Sequence, residues 1–76
     1  MTRPLRITQN PTIMGGKACI RGMRVTVSMI LSLLASGKSQ EAILAEYPYL
    51  EPEDITQALQ YAAWLVEERE YALEEA

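Results

Sequence analysis

The sequence predicts a mainly α fold, a three-helix helix-turn-helix bundle behind a short N-terminal β-hairpin. Three observations carry this. The turn-forming pairs Asn10-Pro11, Gly15-Gly16 and Arg21-Gly22 crowd the first 26 residues. Apolar residues recur at helical spacing from Val27 onward. No glycine or proline interrupts the run from Glu53 to Ala76. Seventy-six residues leave room for one domain. It divides into an arm and hairpin (1–26), a helical core (27–66) and a projecting helix end (67–76). A core this small is marginal, so oligomerisation or a partner is expected.

The elements follow in order. Ala18-Cys19-Ile20 and Met23-Arg24-Val25 flank Arg21-Gly22 and read as a tight hairpin, with Arg6-Ile7-Thr8 as a third strand. Thr26 or Ser28 can cap a first helix bearing Val27, Ile30, Leu31 and Leu34, and Gly37 stops it. Ser39 caps a short second helix with Glu41 in its first turn. Ala42, Ile43 and Leu44 form its apolar side, and Tyr47-Pro48 ends it. Pro52 suits the first position of a third helix, with Glu53 and Asp54 at its positive end. On that helix Ile55, Leu59, Ala62, Val66 and Leu73 fall on one side, and Tyr61, Trp64 and Tyr71 fall nearly opposite. Its length, about 36 Å at 1.5 Å per residue, exceeds the roughly 30 Å width of so small a globule. Its end must project or meet another chain. Tyr61, Trp64 and Tyr71 are therefore expected to form a homodimer or partner surface rather than ordinary core.

The net charge of −3 conceals a separation of signs. Arg3, Arg6, Lys17, Arg21, Arg24 and Lys38 precede every acid, and beyond Gln40 Arg69 is the one base among ten acids. Two readings stand level. The basic half contacts a polyanion, or the halves neutralise one another within or between chains.

Catalytic and metal chemistry find little support. The chain has no histidine, so the usual acid–base group and the commonest metal ligand are absent. Cys19 has no neighbouring base and reads as a small buried residue. Gly15-Gly16-Lys17 lacks the earlier glycine and following Ser or Thr of a phosphate-binding loop. Glu67, Glu68, Glu70, Glu74 and Glu75 read as a solvated face rather than a cation site. No cofactor and no enzymatic activity are expected. The start Met-Thr-Arg-Pro-Leu-Arg lacks the apolar region of a secretory signal, and no apolar run approaches the roughly 18 residues of a membrane span. A cytoplasmic protein without membrane contact is expected.

The second and third helices pack as in DNA-binding helical units, with the hairpin as a wing. Glu51, Glu53 and Asp54 at the leading end of the third helix repel phosphates. Gln57 and Gln60 read as plain surface polarity in preference to adenine readers. Contact with double-stranded DNA would therefore fall to Arg6, Lys17, Arg21 and Arg24, with Arg3 in the arm.

The stretch Gly15-Gly16-Lys17-Ala18-Cys19-Ile20-Arg21-Gly22-Met23-Arg24-Val25 precedes the Val27-to-Leu34 helix, Gly37, the Ser39-to-Tyr47 helix and Leu50-Glu51-Pro52-Glu53-Asp54-Ile55. From about Arg6 to Ala63 this resembles the DUF433 family. Three positions differ from the usual pattern. Ala18 stands where relatives often have proline, Met23 where threonine is usual, and Glu51 where Ser or Thr would cap the third helix. The resemblance implies a homeodomain-like or winged-helix-like fold. It also implies an antitoxin role in a type II toxin–antitoxin pair, with a PIN-like ribonuclease as partner. The alternative is a homodimeric protein-interaction module that binds no DNA.

Overall fold

The structure is a computed structural model that describes residues 5–75, with side chains through residue 68. Strand β1 (Ile7–Gln9) pairs antiparallel with β2 (Ala18–Ile20), with Ile7 opposite Ile20, Thr8 opposite Cys19 and Gln9 opposite Ala18. Helices α1 (Val27–Ala35), α2 (Gln40–Glu46) and α3 (Pro52–Glu75) follow. The β1–β2 connection closes through a left-handed turn over Met14–Gly16, with φ of 50°, 66° and 83°. Glycine relieves the last two positions and Met14 bears the strain.

The hairpin is real but its strands differ from those expected. The segment expected over residues 6–8 is β1, moved one residue along, and it is the true partner of β2. Met23-Arg24-Val25 is not a strand. At Arg21-Gly22 the chain does reverse. Met23 N–H donates to the Ile20 carbonyl at 2.8 Å, and φ is positive at both central residues, 45° and 72°, as a type I′ turn requires. Beyond the turn, pairing is limited to Ile20 N–H on the Val25 carbonyl and a single bridge between Cys19 and Thr26. Thr26 ends it, because its Oγ1 accepts the Met29 N–H at 3.0 Å and starts α1. A residue committed as N-cap cannot prolong a strand.

The helix boundaries match their chemical signals. Thr26 caps α1, and Gly37, with φ of 96°, follows its C-terminus. Ser39 Oγ accepts the Ala42 N–H at the start of α2. Pro52 begins α3.

Ile7, Ile20, Val25, Val27, Ile30, Ile43, Leu50, Ile55, Ala58 and Tyr61 make one core to which both strands and all three helices contribute. Burying an aliphatic side chain of this kind contributes about 1.5–3 kcal/mol. Of the apolar stripe expected to enter the core, Ile55 is fully buried but the face turns away beyond it. Tyr61 is buried at 6% exposure, whereas Leu59 and Val66 are 42% and 56% exposed. Trp64 packs half-buried against the core, its ring 5.9 Å from that of Tyr61. The inward face thus centres on Asp54, Ala58 and Tyr61, rotated by roughly a quarter turn from the Ile55–Leu59–Ala62–Val66 stripe. The cause lies at the helix start. Asp54 is itself drawn fully inside, and Ala58 one turn later lets the helix approach closely.

Candidate functional site

Two arrangements on this scaffold bring side chains together in a way that simple core packing does not. The first centres on Asp54, whose side chain has no exposed surface. Arg21 reaches it with a two-pronged contact, Nε to Oδ1 at 3.0 Å and Nη2 to Oδ2 at 2.9 Å. Arg6 Nη1 donates to Oδ1 at 2.9 Å, and the Glu51 backbone N–H donates to Oδ2 at 2.8 Å. Every acceptor direction of the carboxylate is filled. Burial alone would raise its pKa, but the bonds from Arg21, the Glu51 N–H and Arg6 outweigh it and hold the group down to about 2.

The same residues tie three elements together. Arg6 also donates to Glu51 Oε1 at 2.5 Å, and its backbone N–H donates to Gln57 Oε1 at 2.8 Å. Arg21 Nη2 additionally meets the Tyr49 carbonyl at 3.0 Å. The Arg21 N–H donates to the Arg6 carbonyl at 2.7 Å. Glu51 therefore lacks the hydroxyl cap of a Ser or Thr, yet α3 keeps the reciprocal half of a capping box through Asp54. Hydrogen bonds to Glu51 and Asp54 raise the pKa of Arg6, and those to Asp54 raise that of Arg21.

Of the four basic residues expected to meet DNA, Arg6 and Arg21 thus have their charge engaged by carboxylates of the acidic half. Lys38 is likewise paired with Glu46. Lys17 and Arg24 are exposed and form no ion pair among the described residues. Within the chain, mutual neutralisation accounts for three of the basic residues. Arg3 and the side chains of Glu70, Tyr71, Glu74 and Glu75 lie outside the described residues. Cys19 is buried, its thiol directed to the Lys17 carbonyl at 3.3 Å.

The second arrangement is an open groove of about 540 Å³ where α3 passes over α1 and the end of β2. Val27, Leu31 and Ala35 of α1 form one wall, and Tyr61 and Leu65 of α3 form the other. Ser28, Ser32 and Gln9 line its polar edge, and Lys17 is its one charged lining residue. Leu65 is 36% exposed although it lies one turn beyond Tyr61 on the same face. It faces inward with no core left beneath it, because α3 has run past the globule. Of the residues expected to form a partner face on α3, Tyr61 is buried and Trp64 half-buried, so the exposed apolar end of the helix is made instead by Leu65 and Val66. The mismatch between helix length and globule width was the signal for it. For the burial of Asp54 the sequence offers one sign, its i, i+4, i+7 alignment with Ala58 and Tyr61, and none for its pairing with Arg6 and Arg21.

Comparison with known proteins identifies a family and a matching fold. Residues 7–62 match a family model described as protein of unknown function, DUF433. Over 56 residues the chain is 39% identical to the uncharacterized protein y4eO of Sinorhizobium fredii, a match covering 74% of this chain and 25% of that protein. The chain thus spans about a quarter of the length of that curated relative. The fold also matches the crystal structure of a DUF433 member protein from Anabaena variabilis. The TM-score is 0.77 at 29% identity, covering 91% of this chain and 68% of the other.

Proposed function

We propose that this chain, which belongs to the DUF433 family, acts as a non-catalytic protein-interaction module whose docking surface is the α1–α3 groove and the end of α3 beside it. The observation that carries this reading is Leu65, an inward-facing leucine left 36% exposed over an apolar wall. Val66, 56% exposed, adjoins it. A partner covering this strip would remove Leu65, Val66 and the groove wall from water together. Charge supports the same reading, since Glu67 and Glu68 flank the strip and steer encounter with a basic partner.

The antitoxin role that the family resemblance implies names the first partner to try, a PIN-like ribonuclease. The test is titration of the purified chain into that ribonuclease while RNA cleavage is followed. Stoichiometric inhibition, lost on Leu65→Glu and kept on Tyr49→Glu, supports the reading. Undiminished cleavage at saturating chain removes the ribonuclease as partner. A second reading, DNA contact, rests on Lys17 and Arg24, whose exposed charges have no carboxylate partner among the described residues. Two phosphate contacts supply non-specific affinity at most.

A further inference from the structure

We infer that the occupant of the α1–α3 groove is a second copy of this chain, arranged about a two-fold axis so that each α3 end covers the groove of the other. This rests on the groove being a docking surface, as proposed above, and it specifies what docks there. Three features of the molecule point to it. First, the overhang and the groove are complementary in kind. Leu65 and Val66 offer aliphatic side chains, and Val27, Leu31 and Ala35 offer an aliphatic wall.

Second, the charges are opposite. The groove lining holds Lys17 and no carboxylate, whereas the side chains that follow Val66 on α3 are Glu67 and Glu68, both exposed. Lys17 forms no ion pair within its own chain among the described residues. Glu67 and Glu68 of a second copy would bring it a carboxylate.

Third, donor and acceptor surfaces adjoin on one molecule. Leu65 belongs to both the groove and the overhang. Swapping two such overhangs buries the same patch twice, which is the condition for a closed isologous pair rather than an open chain.

The experiment is sedimentation equilibrium of the full chain from low to high micromolar concentration, joined to zero-length carboxyl–amine cross-linking of a mixture of isotopically light and heavy protein. The expected result is a monomer–dimer equilibrium, with mixed-isotope cross-links between Lys17 and Glu67 or Glu68. Val66→Glu and Ala35→Glu, both at exposed positions, should each raise the dimer dissociation constant at least tenfold while the circular dichroism stays native. Lys17→Glu should weaken the dimer, and combining it with Glu67→Lys and Glu68→Lys should restore it. A chain that stays monomeric at several hundred micromolar overturns the inference. So does a dimer indifferent to Val66→Glu and Ala35→Glu. If that monomer still inhibits the ribonuclease through Leu65, the docking-surface reading stands and only self-docking falls. A groove-held dimer without effect on the ribonuclease supports the self-docking and removes the ribonuclease.

Discussion

Replacing Asp54 by Asn tests whether the arginine–carboxylate cluster holds the hairpin to the helices. The substitution preserves shape and removes charge. The new amide offers a donor where Arg6, Arg21 and the Glu51 N–H all require acceptors, so at least one of the two carboxyl positions turns repulsive. The pKa supplies a magnitude. A carboxyl lowered from 3.8 to about 2 on folding contributes roughly 2–3 kcal/mol at neutral pH. Removing one member of a buried pair costs about 3–5 kcal/mol where both charges are enclosed. Here Arg6 and Arg21 retain 30% and 36% side-chain exposure and can rehydrate, which favours the lower figure. In a domain this size that is a drop in Tm of roughly 10–20 °C. The pH dependence has a defined sign. Because the folded pKa is depressed, the contribution is complete above the unfolded value near 4 and is lost as pH falls toward 2. Urea unfolding of both proteins at pH 7, 4 and 2 should therefore show a large gap in midpoint at pH 7 that shrinks with acid. Equal midpoints at pH 7, or a gap that persists unchanged at pH 2, would show that the cluster contributes no net charge stabilisation.

Other outcomes follow from neighbouring features. Arg21→Lys keeps the charge but loses the two-pronged contact, so its urea midpoint should fall between those of the native chain and Asp54→Asn. Thr26→Val keeps the volume but removes the hydroxyl cap on Met29, and equilibrium unfolding should register a loss of about 1 kcal/mol. Gly22→Ala imposes a Cβ at φ of 72° in open space, so thermal melting should show a backbone penalty of about 1 kcal/mol without a packing defect. If the chain binds DNA through Lys17 and Arg24, affinity titrated against salt should give a log–log slope no steeper than about −2. A slope near −4 would mean that Arg6 and Arg21 leave Asp54 on binding.

The helices were legible because their signals are local. Thr26, Gly37, Ser39 and Pro52 each act within a few residues, on backbone groups that composition alone identifies. The sheet was harder, since β1 and β2 pair across an eight-residue connection while a closer candidate, Met23-Arg24-Val25, lay beside its own turn. That segment lost to the demand of Thr26 for a helix start. The inward face of α3 was misjudged for a related reason. An apolar stripe assigns the face by hydrophobicity alone, and a fully buried aspartate reverses that vote. Its partners Arg6 and Arg21 are 48 and 33 residues away, beyond the reach of any periodicity. One sign was available: Asp54, Ala58 and Tyr61 stand at i, i+4 and i+7, which puts a carboxylate in line with two core residues.

The Asp54 cluster also decides how this molecule can come apart. The amide of Arg6 is held by Gln57 on α3, the amide of Glu51 by Asp54 itself, and the amide of Arg21 by the Arg6 carbonyl. Releasing the first turn of α3 deprives all three of their acceptors or of the neighbours that aim them. In deuterated water these amides should exchange at one common rate set by a single opening, with the hairpin having no looser life of its own. Beyond Tyr61, where no described side chain of α3 is buried, exchange should quicken progressively along the helix. As an undocked monomer the chain thus divides kinetically into a base that opens as one piece and an α3 end that frays turn by turn.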